Sequence, residues 1–324
     1  MMQTIKHLIK GEDIGTQIYD RHNKQVINER RPLKEHLEAE LMYFDPIDKL
    51  DERGFVRHEL LTESIHMGHV NNKEKSVSKI PGFIKFYDID MSQFQKEKPE
   101  EYRTFTDFFI REVKEGVRPI ASPDDPLVVT SAADCRLTVF NSLEETTNLW
   151  IKGKKFSFEK LLNHDKELTD HFRNGSVANF RLAPQDYHRF HTPVAGTIER
   201  ITNVGGTLYS VKPKAINSEV DVLGENERDI IVINGANGFG KVAFVAIGAE
   251  RVGRVTTLKK EGDTLKKGDE LGYFSYGGSD VVVIFENKVK WDDDLMEKSL
   301  NSMETMLHVN ERIGVFEFNG PTDF

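Results

Sequence analysis

From about Asp125 the chain becomes a succession of short runs of branched and aromatic residues. They are Leu127-Val128-Val129-Thr130, Leu137-Thr138-Val139-Phe140, Val177-Ala178-Asn179-Phe180-Arg181-Leu182, Ile230-Ile231-Val232-Ile233 and Val242-Ala243-Phe244-Val245-Ala246-Ile247, separated by Gly, Asn and Asp. Runs so short and so β-branched read as strands, and many in series imply sheets rather than a doubly wound fold. A helix around Phe156 to Leu162 interrupts them, and Leu295 to Leu307 reads as helix again. Residues 1–110 have another texture, polar and helical. Leu33, Leu37, Leu41 and Phe44 recur at helical spacing after Pro32, and a second helical stretch runs through Phe105, Phe108, Phe109 and Val113, beyond a break at Ile80 to Ile84.

Thr257 to Asp263 is followed at once by the similar Thr264 to Asp269, and each Gly-Asp suits a turn that needs positive φ. This local repeat resembles the turns of a lipoyl-type barrel sandwich. The fold class expected is α+β: an N-terminal helical region over 1–110, then a β-rich catalytic domain with barrel-sandwich-like short strands over 111–324. At 324 residues, 38% of them hydrophobic and 30% charged, the chain can bury a real core. A net charge of -9 gives no global basic field, so nucleic acid is not expected as a partner. The single cysteine, Cys135, excludes an internal disulfide and a cysteine-rich zinc site and fits a reducing compartment. No apolar run approaches a membrane span and the first residues lack a signal-peptide core, so a cytoplasmic protein is expected. Arg30, Arg31 and Lys34 beside the apolar helix face would suit peripheral contact with anionic lipid, and equally a solvated helix packed on the core.

Four stretches bear on chemistry. Tyr276-Gly277-Gly278-Ser279-Asp280 puts two glycines between strand-like Leu271 to Phe274 and Val281 to Phe285; a tight hairpin turn is the plain reading, a close backbone approach the alternative. Gly235 to Lys241 has the glycines and lysine of a phosphate loop, but Val242 stands where Ser or Thr is required and opens a strand, so a hairpin loop is expected. Asp186-Tyr187-His188-Arg189-Phe190-His191-Thr192-Pro193 holds two histidines, suited to general base catalysis or to a structural role; no third metal ligand is evident. Asp134 interrupts an apolar run at Ser131 to Arg136 and could be a turn former. Together Asp134, His191 and Ser279 offer an acid, an imidazole and a hydroxyl, the ingredients of an activated nucleophile, whose order along the chain is immaterial.

In these and further segments the chain resembles the phosphatidylserine decarboxylase family. The matching segments are Tyr102 to Glu112, Arg118-Pro119-Ile120, Ser131 to Asp134, Ile151-Lys152-Gly153 with Phe156-Ser157, Asp186 to Pro193, Glu225 to Arg228, Gly248-Ala249 with Val252-Gly253, and Lys267 to Glu286. The resemblance covers about Ile80 to Gly314. It implies self-cleavage between Gly278 and Ser279, giving a larger and a smaller subunit, with Ser279 converted into a pyruvoyl group that acts as electron sink; no PLP and no metal is implied. By the same match His191 activates Ser279, Asp134 orients the imidazolium, and His188 helps to place the substrate. Two positions depart from the family pattern: Asp280 stands where Thr or Ser usually follows the cleavage serine, and Cys135 where a glycine commonly follows the aspartate.

The resemblance therefore implies conversion of phosphatidylserine to phosphatidylethanolamine and carbon dioxide, in a chain open to homo-oligomer formation. A decarboxylase of the same family acting on a free amino acid, such as an aromatic one, is the alternative, and an uncut non-catalytic homologue is a further one, raised by Asp280. A lipoyl-type carrier needs a lysine at the hairpin tip, where this chain has Gly277-Gly278-Ser279.

Overall fold

The computed structural model describes residues 16–29, 66, 68–149, 156–211, 216, 221–249, 255–275, 277 and 279–317. The helix expected after Pro32, with Arg30, Arg31 and Lys34, lies outside them, as do Ile151 to Gly153, Val252-Gly253, Tyr276 and Gly278.

The fold is α+β, organised on a ten-stranded sheet. In spatial order its strands are β11 (Thr264–Leu265), β7 (Gly196–Val204), β8 (Arg228–Gly235), β9 (Gly240–Gly248), β13 (Ser279–Phe285), β5 (Ser176–Leu182), β4 (Cys135–Phe140), β15 (Glu304–Leu307), β1 (Gln17–Asp20) and β2 (Gln25–Asn28). Neighbours are antiparallel except β1 with β15. Two three-stranded sheets accompany it: β10 (Val255–Thr257), β12 (Glu270–Phe274) and β6 (Arg189–His191); and β14 (Val289–Trp291), β16 (Arg312–Phe316) and β3 (Val128–Thr130).

Side chains alternate across a strand, so the ten-stranded sheet feeds two cores. Phe180, Phe244, Val281 and Val283 face one side and pack with Phe190, Leu271 and Phe274 of the first small sheet and Trp291 and Phe316 of the second. Val245, Ile247, Val282 and Ile284 face the other side. That side is closed by short helices from the middle of the chain, whereas Leu295 of the last helix packs into the first core. After α1 (Ile80–Tyr87) and α2 (Phe105–Phe109) come α3 (Leu143–Leu149), α4 (Phe158–Leu161), α5 (Lys166–His171), α6 (Val222–Glu225) and α7 (Asp293–Leu300). Leu143, Phe158, Leu161, Leu168, Val222 and Leu223 of α3 to α6 complete the second core. With both faces covered, β9 and β13 are apolar at almost every position, which is why they read as continuous runs in the sequence, whereas β5 also buries Ser176, Asn179 and Arg181.

A third, aromatic cluster joins α1 to α2. Phe83 meets Phe105 and Phe108 edge-on at 5.2 and 5.8 Å between ring centres, and Tyr102 meets Phe108 at 5.3 Å. Thr104 caps α2 by accepting the Asp107 amide hydrogen, which stops the chain from entering the helix any earlier.

Both Gly-Asp turns form as expected, with Gly262 and Gly268 at φ of +87° and +82°. The Gly235 to Lys241 stretch is the loop of the β8–β9 hairpin, with Gly235 opposite Gly240. Three features differ from the sequence reading. The region before residue 110 is not purely helical: β1 and β2 extend the main sheet, because pairing to β15 satisfies a backbone whose own side chains carry little strand signal. The helix beginning at Asp293 stops at Leu300, and after Ser302, at φ of +56°, the chain becomes β15. The glycines before Ser279 join no tight hairpin, since β12 and β13 belong to different sheets and the connection crosses between them.

Candidate active site

Ser279 opens β13 at the centre of the large sheet, opposite Leu182 of β5 and Gly248 of β9. Period-two alternation puts its side chain with Val281, towards the first small sheet, and that of Asp280 with Val282, on the helix-covered side. Ser279 is fully buried. Gly277, just before it, has φ of +131°, a conformation that side chains rarely adopt, so the crossover needs a glycine there. The Gly278 carbonyl, the other half of the expected cleavage bond, lies outside the described residues.

The hydroxyl of Ser279 meets His188, with Oγ 3.1 Å from Nδ1. The other ring nitrogen, Nε2, lies 3.0 Å from the Ala183 carbonyl oxygen, which can only accept. Nε2 therefore carries the proton, and Nδ1 presents its lone pair to the serine O–H. His188 is fully buried, with Phe109 stacked on its ring at 3.9 Å. Burial, reinforced by the nearby Arg111 charge, pushes the imidazole down to about 3, so it is neutral at any physiological pH. Arg111 is itself held over the Phe94 and Phe108 rings and donates to the Gln185 and Asp186 carbonyls.

His191 is placed otherwise. In β6 it alternates with Phe190, and Phe190 is the residue that enters the core. Its Nδ1 donates to the Gly268 carbonyl at 2.8 Å, leaving Nε2 to accept from the Tyr187 hydroxyl at 3.1 Å. Burial lowers its pKa. Asp134 sits at the mouth of β4, with both oxygens on Arg118 at 2.8 to 3.2 Å, and Oδ1 accepts the Val309 amide at 2.9 Å. Its connection to His191 runs through backbone: the His191 amide donates to Ala132 of the same loop at 2.8 Å. Of the expected trio, then, the structure brings Ser279 to His188, ties Asp134 to Arg118, and shows no side-chain hydrogen bond among Asp134, His191 and Ser279 within the described residues.

Asp280 answers to a different environment. It is cross-strand from Arg181, and Asn179, with its amide group facing the carboxyl, donates to it at 2.8 and 3.2 Å. Burial pushes its pKa well above the usual carboxylate range, Arg181 opposing and Glu304 adding to the rise. Arg181 in turn grips Glu304 at 2.5 and 2.7 Å and reaches Glu29 at 3.2 Å, while Arg136 pairs with Glu29 and Asp186 at 2.6 and 2.5 Å. Two guanidinium groups face four carboxyls, Asp280 among them. Its side chain points to the face of the sheet opposite Ser279. Cys135 is buried at the first position of β4, its thiol pushed up by burial and 3.9 Å from the Ser131 hydroxyl.

Sequence reasoning did not single out Arg118, Phe109, Arg111 or Tyr187 as site residues, although all lie in the matching segments. Arg118, Phe109 and Arg111 meet the site through contacts distant in the chain, which spacing does not signal, whereas Tyr187 reaches His191 only four residues on.

Residues 105–315 match the family model described as phosphatidylserine decarboxylase. The chain is 42% identical over 302 residues to "Phosphatidylserine decarboxylase proenzyme 2" of Oryza sativa subsp. japonica, covering 92% of this chain and 48% of that protein. It is 37% identical over 310 residues to the protein of the same name in Saccharomyces cerevisiae, covering 95% and 26%. With "Phosphatidylserine decarboxylase proenzyme" of Fusobacterium nucleatum subsp. nucleatum it shares 37% over 274 residues, 84% of this chain and 89% of that one. The chain thus spans about half or less of the plant and yeast relatives and most of the bacterial one. On the matched span and these identities, the chain belongs to the phosphatidylserine decarboxylase family.

Proposed function

We propose that this chain is a self-processing decarboxylase that cuts itself between Gly278 and Ser279 and converts phosphatidylserine to phosphatidylethanolamine and carbon dioxide. The observation that carries the reading is the buried Ser279 hydroxyl at the start of β13, facing the lone pair of a neutral imidazole at 3.1 Å, in a chain whose relatives bear the name proenzyme. Ser279 Oγ attacks the Gly278 carbonyl carbon as His188 Nδ1 takes its proton. The N–C bond then breaks as the amide becomes an ester. Removal of the Ser279 Cα proton expels the Gly278 carboxylate, and hydrolysis releases ammonia, leaving a carbonyl where the serine nitrogen stood. That group would supply the electron sink a Cα carbanion requires.

The surroundings fit it. Ser279 is enclosed, Phe109 and His188 form one wall, and the protons of His188 and His191 are each fixed on one ring nitrogen by a backbone carbonyl. A low basicity suits His188 to a proton that is shared and soon returned. His191, the base implied by family resemblance, is engaged by Gly268 and Tyr187; we assign it, with Asp134 and Arg118, to holding the Ala132 to Asp134 loop and to returning a proton at Cα.

The lipid reading draws support from the aromatic cluster, which runs from half-exposed Phe86 on α1 through Phe83 and Phe108 towards Phe109 on His188. No helix among the described residues is long and apolar enough to cross a membrane; peripheral contact with a membrane surface is part of the reading we propose. The test is intact mass followed by incubation with phosphatidylserine vesicles and with a panel of free amino acids. Two pieces parting at Gly278 and Ser279, and carbon dioxide from the vesicles, are expected. A persistent full-length mass refutes self-processing, and carbon dioxide from free amino acids alone moves the substrate to that class.

A further inference from the structure

Away from Ser279, three metal-ligating side chains converge from two distant parts of the chain. His22 stands on the turn between β1 and β2, and His308 and Glu311 on the segment between β15 and β16. One donor atom from each lies within 4.8 Å of the other two. Both imidazoles address the same carboxylate oxygen: His22 Nε2 is 2.5 Å and His308 Nδ1 3.4 Å from Glu311 Oε1, and the two rings lie 4.4 Å apart.

We propose that His22, His308 and Glu311 form a binding site for a divalent transition metal of the zinc class. Imidazole nitrogen with one carboxylate selects zinc, cobalt or nickel over calcium and magnesium, which prefer oxygen ligands. With metal–ligand bonds of about 2.0–2.2 Å, tetrahedral donors stand roughly 3.3–3.5 Å apart, so the cluster closes on an ion by small side-chain rotations. A second observation points the same way. His22 Nδ1 faces Asp20 Oδ1 at 3.6 Å, the outer carboxylate that typically orients a metal-bound histidine. Asp20 is buried and is itself fixed by the His22 and Asn23 amides and by the Asn23 side chain at 2.7 Å. Three protein ligands leave a fourth position for water. His22, His308 and Glu311 are each partly exposed, which gives the ion a way in.

The site has a structural consequence. The loop that supplies His308 and Glu311 also supplies the Val309 amide to Asp134, and the Ser131 amide donates to the Glu311 carbonyl at 2.7 Å. A metal there would tie the β1–β2 turn to the strap that holds Asp134. If the chain is cut as proposed above, it would also bridge the two pieces, since His22 precedes Ser279 and the other ligands follow it. Binding itself does not depend on cleavage.

The experiment is titration of the chelator-stripped full chain with cobalt(II), read by its visible ligand-field bands, and with zinc by calorimetry. One equivalent with a tetrahedral cobalt spectrum is expected. His22→Ala, His308→Ala and Glu311→Gln should each abolish it, and Asp20→Asn should weaken it about 10–100-fold. His171→Ala, at an unrelated histidine–carboxylate pair with Glu286, should leave it intact. Failure to saturate at one equivalent, or unchanged binding in the His22→Ala/His308→Ala double variant, overturns the site. Should that variant not fold, the wild-type proton spectrum decides: cobalt must shift the ring resonances of His22 and His308, and undisturbed signals refute the proposal. Because the readout is metal binding, it stands or falls separately from self-processing.

Discussion

Ser279 and Asp280 are neighbours on one strand, yet their side chains enter opposite environments. Towards the small sheet, Ser279 has, among the described residues, a single hydrogen-bonding side chain, a neutral histidine under an aromatic ring. Across the sheet, Asp280 joins a layer of four carboxyls and two arginines, closed by Asn179. The first environment is sparse and leaves a hydroxyl with one acceptor. The second is saturated, fixing β13 against β5, β4, β15 and the strand pair at the edge. A chain that is to break its own backbone at one bond has use for both: an uncharged, lightly bonded reacting face, and a heavily bonded opposite face that keeps the strand in register.

Substitutions on either side test that division. Ser279→Ala removes the nucleophile, and intact mass should then show the uncut chain alone. On that background unfolding involves one piece, so denaturant melts can weigh the network. Arg181→Met leaves Glu29 and Glu304 without their shared cation and should cost about 3–5 kcal/mol. A loss under 1 kcal/mol would show that the layer does not hold the strand. On the sparse face, His188 is neutral when folded and has an ordinary affinity for protons when unfolded. Between about pH 6.5 and 3 the unfolded state thus binds more protons, and stability falls as pH falls. Relative to His188→Gln, the Ser279→Ala chain should lose about 2–3 kcal/mol from pH 6.5 down to about pH 4.5. Parallel curves would mean that His188 charges freely.

Cleavage rates sharpen the same contrast. His188→Ala should slow cleavage by about 10²–10⁴-fold and His191→Ala by less; the reverse order transfers the proton acceptor to His191. The smallest effect is expected from Asp280→Asn. Burial already raises the Asp280 pKa and Asn is its isostere, so stability should move by about 1 kcal/mol or less and cleavage should persist. A large loss would mean that the Asp280 carboxyl does something in the network that an amide of the same shape cannot.

Much of this was legible in the residues. The β-rich body announced itself because strands buried on both faces must be apolar at nearly every position, as in Val242 to Ile247 and Val281 to Phe285. The segments around Asp134, His188, His191 and Ser279 stood out by their chemistry and by family resemblance. What stayed hidden was pairing across distance. Gln17–Asp20 becomes a strand only because β15, almost three hundred residues later, offers it an edge. Which of two histidines three apart meets Ser279 depends on which side of β6 faces the core, and spacing does not say. Glu29, Arg136, Arg181 and Glu304 look like ordinary surface charges until the sheet stacks them together.

The position of β13 has a further consequence for the life of the protein. Its hydrogen bonds run to β9 on one edge and β5 on the other, and the chain beyond it contributes β14, β15, β16 and α7. Severing the backbone just before Ser279 would remove none of these bonds, so the shorter piece would remain threaded through the middle of the molecule. What the cut would remove is the covalent link that guided folding. Reassembly after denaturation would then be a second-order search by a fragment with a modified end. The persistence of the cut protein would be governed by how slowly it opens rather than by an equilibrium, as a spring-loaded latch keeps its state by a barrier.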